Sequence, residues 1–215
     1  MRIVIAGGHG QIALLTSRLL ADAGHQPVGL IRSAAQGGDL LAVGSEPAVL
    51  DLEHTDVAAV AAVLTGADAV VFAAGAGPGS GAARKLTLDR DGAVLLADAA
   101  ERAGAGRYLM VSALATDDFD AASDDVFQVY LRAKSEADAD LRRRDLDWTI
   151  VRPGGLTNEA PTGRVRLATR TGPGTIPRAD VAAVLVELLI SGAGVRSQFE
   201  LVSGDTPIAE AVAGL

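Results

Sequence analysis

Residues 2–13 constrain this chain more than any other stretch. Arg2-Ile-Val-Ile-Ala6 runs straight into Gly7-Gly8-His9-Gly10-Gln11-Ile12-Ala13, and an apolar-periodic helix pattern follows at once. A strand, a tight glycine turn and a helix start make an anion site. The first-turn N–H groups have no intrahelical partner, and the helix dipole adds partial positive charge there. Glycine removes the Cβ that would keep a diphosphate away from the backbone. The expectation is a dinucleotide-binding turn built by Gly7, Gly8, His9, Gly10, Gln11 and Ile12. The spacing reads as Gly8-x-Gly10-x-x-Ala13 or as Gly7-x-x-Gly10-x-x-Ala13, the first being the common dinucleotide pattern with Ala in its last place. No Gly-Lys-Ser/Thr follows, which excludes a P-loop.

Apolar runs then alternate with helical patterns to the end of the chain. Strands are expected at 2–6, 27–31, 48–50, 69–73, 107–111, 148–151 and 198–202. Helices are expected near 11–23, 55–64, 86–103, 126–143 and 178–191. Short β-rich runs separated by helices mean βαβ units. Runs such as Ala69-Val-Val-Phe-Ala73 lack polar alternation, as strands buried on both faces should. The fold class expected is α/β, a Rossmann-type doubly wound parallel sheet with helices on both faces. With 215 residues, the expectation is one domain over 1–215. Residues 154–177, rich in Gly, Pro and Thr, break the rhythm and are expected to form a small substrate-facing lobe.

Composition narrows the function classes. The formal charge of −8 argues against nucleic acid and anionic membranes. The chain has no cysteine, so thiol chemistry and Cys-based metal sites are excluded. Its three histidines, His9, His25 and His54, form no ligand cluster, so no metal is expected. Residues 57–83 carry one charge, Asp68, yet Thr65-Gly66 and the loop at 75–79 cut that run into globular lengths. A strand at the N-terminus leaves no room for a signal peptide, and a cytoplasmic setting is expected.

The end of the second strand addresses cofactor choice. NAD-preferring folds place an acid there for the ribose 2′-OH. Here the strand ends in Arg32-Ser33, and an arginine suits a 2′-phosphate by charge and forked geometry. NADP is therefore expected ahead of NAD, and FAD is disfavoured. Asp51 and Leu52, at the end of the third strand, can meet the adenine edge or can simply precede a helix.

Tyr130-Leu-Arg-Ala-Lys134 lies inside an expected helix. A spacing of four puts both side chains on one face. A neighbouring ammonium favours phenolate, so Lys134 is expected to lower the pKa of Tyr130 and fit it for proton transfer near neutral pH. The alternative is a surface i,i+4 pair.

With these pieces in place, the chain resembles the short-chain dehydrogenase/reductase superfamily. More narrowly, it resembles the atypical, single-domain NAD(P)H-binding group of epimerases and reductases related to the NmrA-like proteins. Besides the glycine turn, the resemblance rests on Leu88-Asp89-Arg90-Asp91-Gly92-Ala93, Tyr108-Leu-Met-Val-Ser112 and the Tyr130–Lys134 motif. It continues through Leu146-Asp-Trp-Thr-Ile-Val-Arg-Pro-Gly-Gly-Leu156, Pro177-Arg-Ala-Asp-Val-Ala182 and Phe199-Glu-Leu-Val-Ser-Gly-Asp-Thr-Pro207. The resemblance implies that Gly7, Gly10 and Ala13 face the pyrophosphate and Arg32 the 2′-phosphate. It puts Ala73, Ala74 and Gly75 along the adenosine and ribose, and Pro153, Gly154, Gly155 and Leu156 beside the carboxamide. Lys134 would hold the nicotinamide ribose and Tyr130 would act as acid/base. Asp89 stands where fuller members often carry Asn. Ser112 departs from the family's Ser-Ser-x pattern, so it is either catalytic or a structural strand-end serine, with Thr116 as the substitute.

Three functions share these residues. The leading one is an NADP-dependent reductase of a small carbonyl or quinone-like substrate. The second is a dinucleotide-binding redox sensor that acts through a protein partner. The third is an epimerase or dehydratase with tightly held cofactor. The substrate walls are expected from 75–85, 114–125 and 157–177. The assembly is either monomer or homodimer, the latter through the helices at 86–103 and 126–143.

Overall fold

The computed structural model describes residues 1–77 and 79–215. Pro78, within the loop expected at 75–79, lies outside the described residues. The chain begins with β1 (Arg2–Ala6), the glycine turn and α1 (Gln11–Asp22). It continues with β2 (Gln26–Ile31), a short 3₁₀ turn, α2 (Gly37–Ala42), β3 (Glu46–Val49), α3 (Val57–Leu64) and β4 (Ala69–Phe72). A short helix, α4 (Ala82–Arg84), leads into a π-helical segment over Lys85–Gly92 and then α5 (Ala93–Ala103). Next come β5 (Arg107–Val111), α6 (Val126–Leu141), β6 (Asp147–Pro153), β7 (Gly155–Thr157), β8 (Arg164–Ala168) and β9 (Thr175–Pro177). The chain closes with α7 (Arg178–Ser191), β10 (Ser197–Ser203), β11 (Thr206–Pro207) and α8 (Ile208–Ala213).

Nine strands form one sheet in the order β11-β8-β10-β6-β5-β4-β1-β2-β3. The run from β3 to β10 is parallel throughout, and this is the doubly wound arrangement expected. Alternate side chains of each strand feed opposite layers. Val4 and Ala6 join the cluster with Val60 of α3 and Leu96 of α5. Ile3 and Ile5 join the cluster with Leu20 of α1 and Leu188 of α7. All four residues of β4 are buried, which explains its unbroken apolar sequence.

Three features differ from the sequence reading. The sheet is not wholly parallel, because β8 pairs antiparallel with β10 and β11 with β8. Of these, β8 lies in the stretch expected to be a small substrate-facing lobe, β10 covers the strand expected at 198–202, and β11 follows it. β8 and β11 are short, with five and two residues, and β8 has only one fully buried position, Val165, so its apolar signal is weak. The helix expected at 86–103 is π-helical in its first part. A π segment changes which side chains share a face and is often found at functional sites. Finally, α2 after β2 and α8 after β11 form where no helix was expected. Among the described residues, no helix is long and apolar enough to cross a membrane.

The chain winds outward from β1 to β3, then crosses over to β4 and winds the other way. The carboxyl ends of β1 and β4, which are paired in register from Ile3↔Ala69 to Ala6↔Phe72, therefore flank the point where a doubly wound sheet opens a crevice.

Candidate dinucleotide and substrate site

The glycine turn sits in that crevice. Gly7 has φ +75°, and a Cβ there would lie 2.5 Å from Ala74 Cα, so only glycine fits. Gly10 N donates to the Gly7 carbonyl at 2.8 Å and closes the turn. Gly10 is also the N-cap of α1, and no side chain caps the helix. The first-turn N–H groups are thus left for water or an anion. Gly8 has another task. Its N–H donates to the Leu30 carbonyl at 2.9 Å, and a Cβ would lie 2.6 Å from Gly29 Cα, so it lets the turn lie against β2. Gly8 and Gln11 line neither cleft described below.

A cleft of about 320 Å³ runs from the turn across the ends of β2, β3 and β4. Gly7, His9 and Gly10 form one side, Arg32 lies at the end of β2, and Asp51 and Leu52 follow β3. Ala73, Ala74 and Gly75 follow β4 on the other side. His9 Nε2 is 2.7 Å from Asp39 Oδ2. Two lining residues escaped the sequence reading. Arg84 donates from Nε and Nη2 to Glu53 Oε2 at 2.9 and 2.7 Å, and Thr87 donates to Glu53 Oε1 at 2.8 Å. No motif marks Glu53 or Arg84, which meet across 31 residues of sequence. The bond from Arg84 holds the Glu53 carboxyl below its ordinary pKa despite partial burial. Burial raises Asp51, but hydrogen bonds from His54 and the Glu53 N–H, with the charges of His54 and Arg32, outweigh it and leave Asp51 lowered.

A second cavity of about 630 Å³ adjoins the first and shares Ala73, Ala74 and Gly75 with it. Ile12, Asp89, Ser112, Tyr130, Lys134, Pro153 and Leu156 line it, so every expected catalytic residue lies on one cavity. Gly154 and Gly155 do not. Their N–H groups donate to the carbonyls of Leu201 and Gly174, and a side chain on Gly154 would meet the Gly174 carbonyl, so both glycines serve strand packing. Of the expected walls, 75–85 contributes, 114–125 contributes Asp125 alone, and 157–177 contributes no described residue. The start of α6, with Val126 and Phe127, takes that place.

Asp89 is fully buried. Its Oδ2 accepts from Ala76 N at 3.1 Å, and its Oδ1 lies 3.5 Å from Lys134 Nζ. Lys134, 3% exposed, also donates to the Val111 carbonyl at 3.2 Å and lies 5.2 Å from the centre of the Phe72 ring. The ammonium is thus committed to Asp89 and the end of β5. The expectation that Lys134 lowers the pKa of Tyr130 is overturned. Burial pushes the phenol up, and the negative charges of Asp89 and Asp138 push it further. Tyr130 is a neutral phenol at physiological pH, able to give a proton.

Ser112 Oγ donates to Asp138 Oδ2 at 2.9 Å. Asp138 also accepts from Arg152 Nε at 2.9 Å, and Arg152 makes a two-bond fork to Asp117 at 2.6 and 2.9 Å. Burial raises the Asp138 pKa by more than Arg152, Ser112 and Lys134 lower it. Ser112 therefore belongs to a buried chain of polar groups that ties β5, α6 and β6 to the loop at Asp117. Thr116 is fully buried and lies off the cavity. Lys85 was not singled out from the sequence, yet it lines the cavity with its Nζ 5.3 Å from the centre of the Tyr130 ring. Among the described residues, no group of three His, Cys, Asp or Glu is placed to hold a metal.

The chain is similar to known proteins along its whole length. YhfK of Bacillus subtilis, by name an uncharacterized sugar epimerase, is 37% identical over 213 residues, 99% of each chain. A Bacillus halodurans structure provisionally named an NAD-dependent epimerase/dehydratase matches with a TM-score of 0.93 and 38% identity, covering 100% of both chains. The oxidoreductase YlbE of Lactococcus lactis matches with a TM-score of 0.87 and 27% identity, covering 100% of this chain and 96% of that one. The profile of the NAD(P)H-binding family matches residues 7–191, spanning the turn, both clefts and the Tyr130–Lys134 helix, and the chain belongs to that family.

Proposed function

We propose that the chain is an NADP-dependent oxidoreductase of the atypical short-chain dehydrogenase type, which reduces a small carbonyl or quinone-like substrate in the cytoplasm. The observation that carries this reading is the gathering of Tyr130, Lys134 and Asp89 on a cavity continuous with the glycine turn through Ala73, Ala74 and Gly75. The uncapped start of α1, the Cβ-free surface at Gly7 and the buried, partly unsatisfied Asp89 carboxylate fit a dinucleotide.

On this reading, Gly7, Gly10 and the α1 N-terminus hold the pyrophosphate, and Asp51 and Leu52 border the adenine. Ile12, Pro153 and Leu156 border the nicotinamide, and Lys134 holds its ribose. When bound, the nicotinamide supplies the hydride. Tyr130 gives a proton to the substrate oxygen and recovers one from water. The phenol begins protonated, as the reductive direction requires, although burial and the charges of Asp89 and Asp138 make it a weaker acid than a free tyrosine. The preference for NADP is supported by Arg32. Of the two arginines on the adenosine cleft, Arg84 is paired with Glu53, whereas Arg32 enters no ion pair among the described residues.

The test is calorimetric titration with NADPH and NADH, followed by a screen of NADPH oxidation against small carbonyls and quinones. Tight NADPH binding with turnover supports the reductase. Tight binding without turnover favours a redox sensor that acts through a protein partner, a reading supported by the commitment of Ser112 to Asp138. Protein purified with nucleotide already bound favours the epimerase or dehydratase reading suggested by the names of the relatives. Failure to bind either nucleotide removes all three.

A further inference from the structure

The chain has 19 cationic residues, and only Lys85 and Lys134 are lysines. Both line the larger cavity, at 8% and 3% exposure. Their surroundings differ. Lys134 faces a carboxylate, Asp89. Lys85 Nζ donates to the Gly77 carbonyl at 2.9 Å, and among the described residues no carboxylate lies within 4 Å of it. The other acid on the cavity, Asp125, is engaged elsewhere. Its Oδ1 caps α6 by accepting from the N–H groups of Phe127 and Gln128 at 2.9 and 3.3 Å.

A buried ammonium without a counter-charge is costly to maintain. One neutral acceptor at 2.9 Å uses one of its three donors. The position on the π-helical segment turns Lys85 toward the cavity along with Asp89, four residues on. Beside it lies an aromatic wall. The Phe127 and Tyr130 rings are stacked with centroids 6.1 Å apart, and Phe127 is 60% exposed at the cavity. An exposed aromatic next to a buried, unbalanced cation matches a ligand with an apolar, flat body and an acid group.

We propose that Lys85 is a specificity residue and that the substrate carries a carboxylate beside its conjugated body, the carboxylate pairing with Lys85 Nζ while the body lies along Phe127 and Tyr130. This deepens the reductase reading and rests on it for the word substrate, although the binding step stands without turnover.

The test compares para-carboxybenzaldehyde with its methyl ester, two probes of similar body that differ in charge. Their affinities are measured by calorimetry on NADP⁺-saturated wild-type protein, Lys85→Met and Lys85→Arg, each checked for folding by circular dichroism. Wild type is expected to favour the acid by about tenfold. Lys85→Met should lose that preference and Lys85→Arg should retain most of it. If Lys85→Met does not fold, Lys85→Gln takes its place. Absence of an acid preference in wild type, including failure to bind either probe, overturns the proposal, as does an equal preference in wild type and Lys85→Met. NADPH oxidation with the same probes reads the catalytic proposal separately. Acid selectivity without oxidation supports the Lys85 assignment and counts against the reductase reading, which the wider carbonyl and quinone screen decides. Oxidation without charge preference does the reverse.

Discussion

The Lys134 ammonium lies 3.5 Å from the Asp89 carboxylate, and neither side chain is more than 4% exposed. The pair links the helix that carries Tyr130 to the π-helical segment, and it places a negative charge near the phenol. Asp89→Asn should keep the bond from Ala76 N, because an amide oxygen also accepts, but it strips Lys134 of its counter-charge. Breaking a buried pair by removing one member costs about 3–5 kcal/mol, and a loss of about 3 kcal/mol is expected in denaturant melts. The same variant should lower the pKa of Tyr130, since Asp89 is the largest cause of its elevation after burial. Tyrosinate absorbance during alkaline titration reads that shift. An unchanged melt and titration would mean that the pair contributes to neither.

Tyr130→Phe should lower turnover by about 10²- to 10⁴-fold, the span of general-acid contributions, while NADPH still binds. The pH profile gives an independent reading. A tyrosine whose pKa is raised stays protonated past the ordinary value of about 10. Reduction should therefore show no alkaline loss from this group below about pH 10. A wild-type rate that falls with a pKa near neutrality and a Phe variant that keeps the same profile would together exclude Tyr130 as the proton donor.

Arg32→Glu should weaken NADPH by about a hundredfold and leave NADH nearly unchanged, because the substitution exchanges a forked cation for an anion only where the 2′-phosphate would sit. Arg32 is exposed on the smaller cleft, so the fold should tolerate the change. Equal losses for the two nucleotides would remove Arg32 from 2′-phosphate recognition.

The parts legible in the sequence are those with strong local periodicity. The β1–turn–α1 unit, the buried strands β4 and β5 and the helices α6 and α7 all declare themselves through runs of apolar residues at fixed spacing. The presence of Tyr130 and Lys134 on one cavity follows from a spacing of four in a helix. Their electrostatics does not, because the partner of Lys134 is Asp89, 45 positions away and delivered by a π-helical segment that sequence periodicity does not signal. Ser112 was ambiguous for the same reason. Its role is set by Asp138 and Arg152, which reach it across 26 residues and from the neighbouring strand β6. Short strands such as β8, which lies between β10 and the two-residue edge strand β11, carry too little apolar pattern to be read.

The glycine turn shows the same limit at finer scale, and it yields a direct comparison. Three glycines announce a turn, but only the close approach of Gly8 to Gly29 tells that Gly8 packs strands while Gly7 and Gly10 face the cleft. A Cβ on Gly8 would be 2.6 Å from Gly29 Cα and 2.9 Å from its carbonyl carbon. Both are backbone atoms, so β2 itself must shift. Gly8→Ala should cost about 2–3 kcal/mol, in the upper range of overpacking. Gly24→Ala is the control. It has φ +79° but no heavy atom within 4 Å of the added Cβ, so it should cost only the left-handed backbone penalty of about 1–2 kcal/mol. Equal melting temperatures for the two variants would contradict the packing role of Gly8.

The Arg152–Asp117 fork predicts how stability responds to acid. Arg152 is 5% exposed on its side chain and Asp117 is 50% exposed. The guanidinium holds the Asp117 carboxyl below its ordinary value despite burial, and Asp51 and Glu53 are lowered as well. A carboxyl that is more acidic in the folded state stabilises the fold above its unfolded pKa. That contribution is lost as pH falls through the folded value. Asp138 works the other way, because its raised pKa means that protonation relieves an unfavourable buried charge. Asp117→Asn therefore removes one source of acid sensitivity. Solvent screening keeps its contribution at neutral pH to no more than about 1 kcal/mol, or a fall in Tm of about 2–4 °C. Between about pH 5 and about pH 3 the wild type should lose more Tm than the variant, so the two curves converge in acid. Curves that stay parallel over that interval would mean that Asp117 does not titrate with folding and that the fork to Arg152 is not part of the acid response.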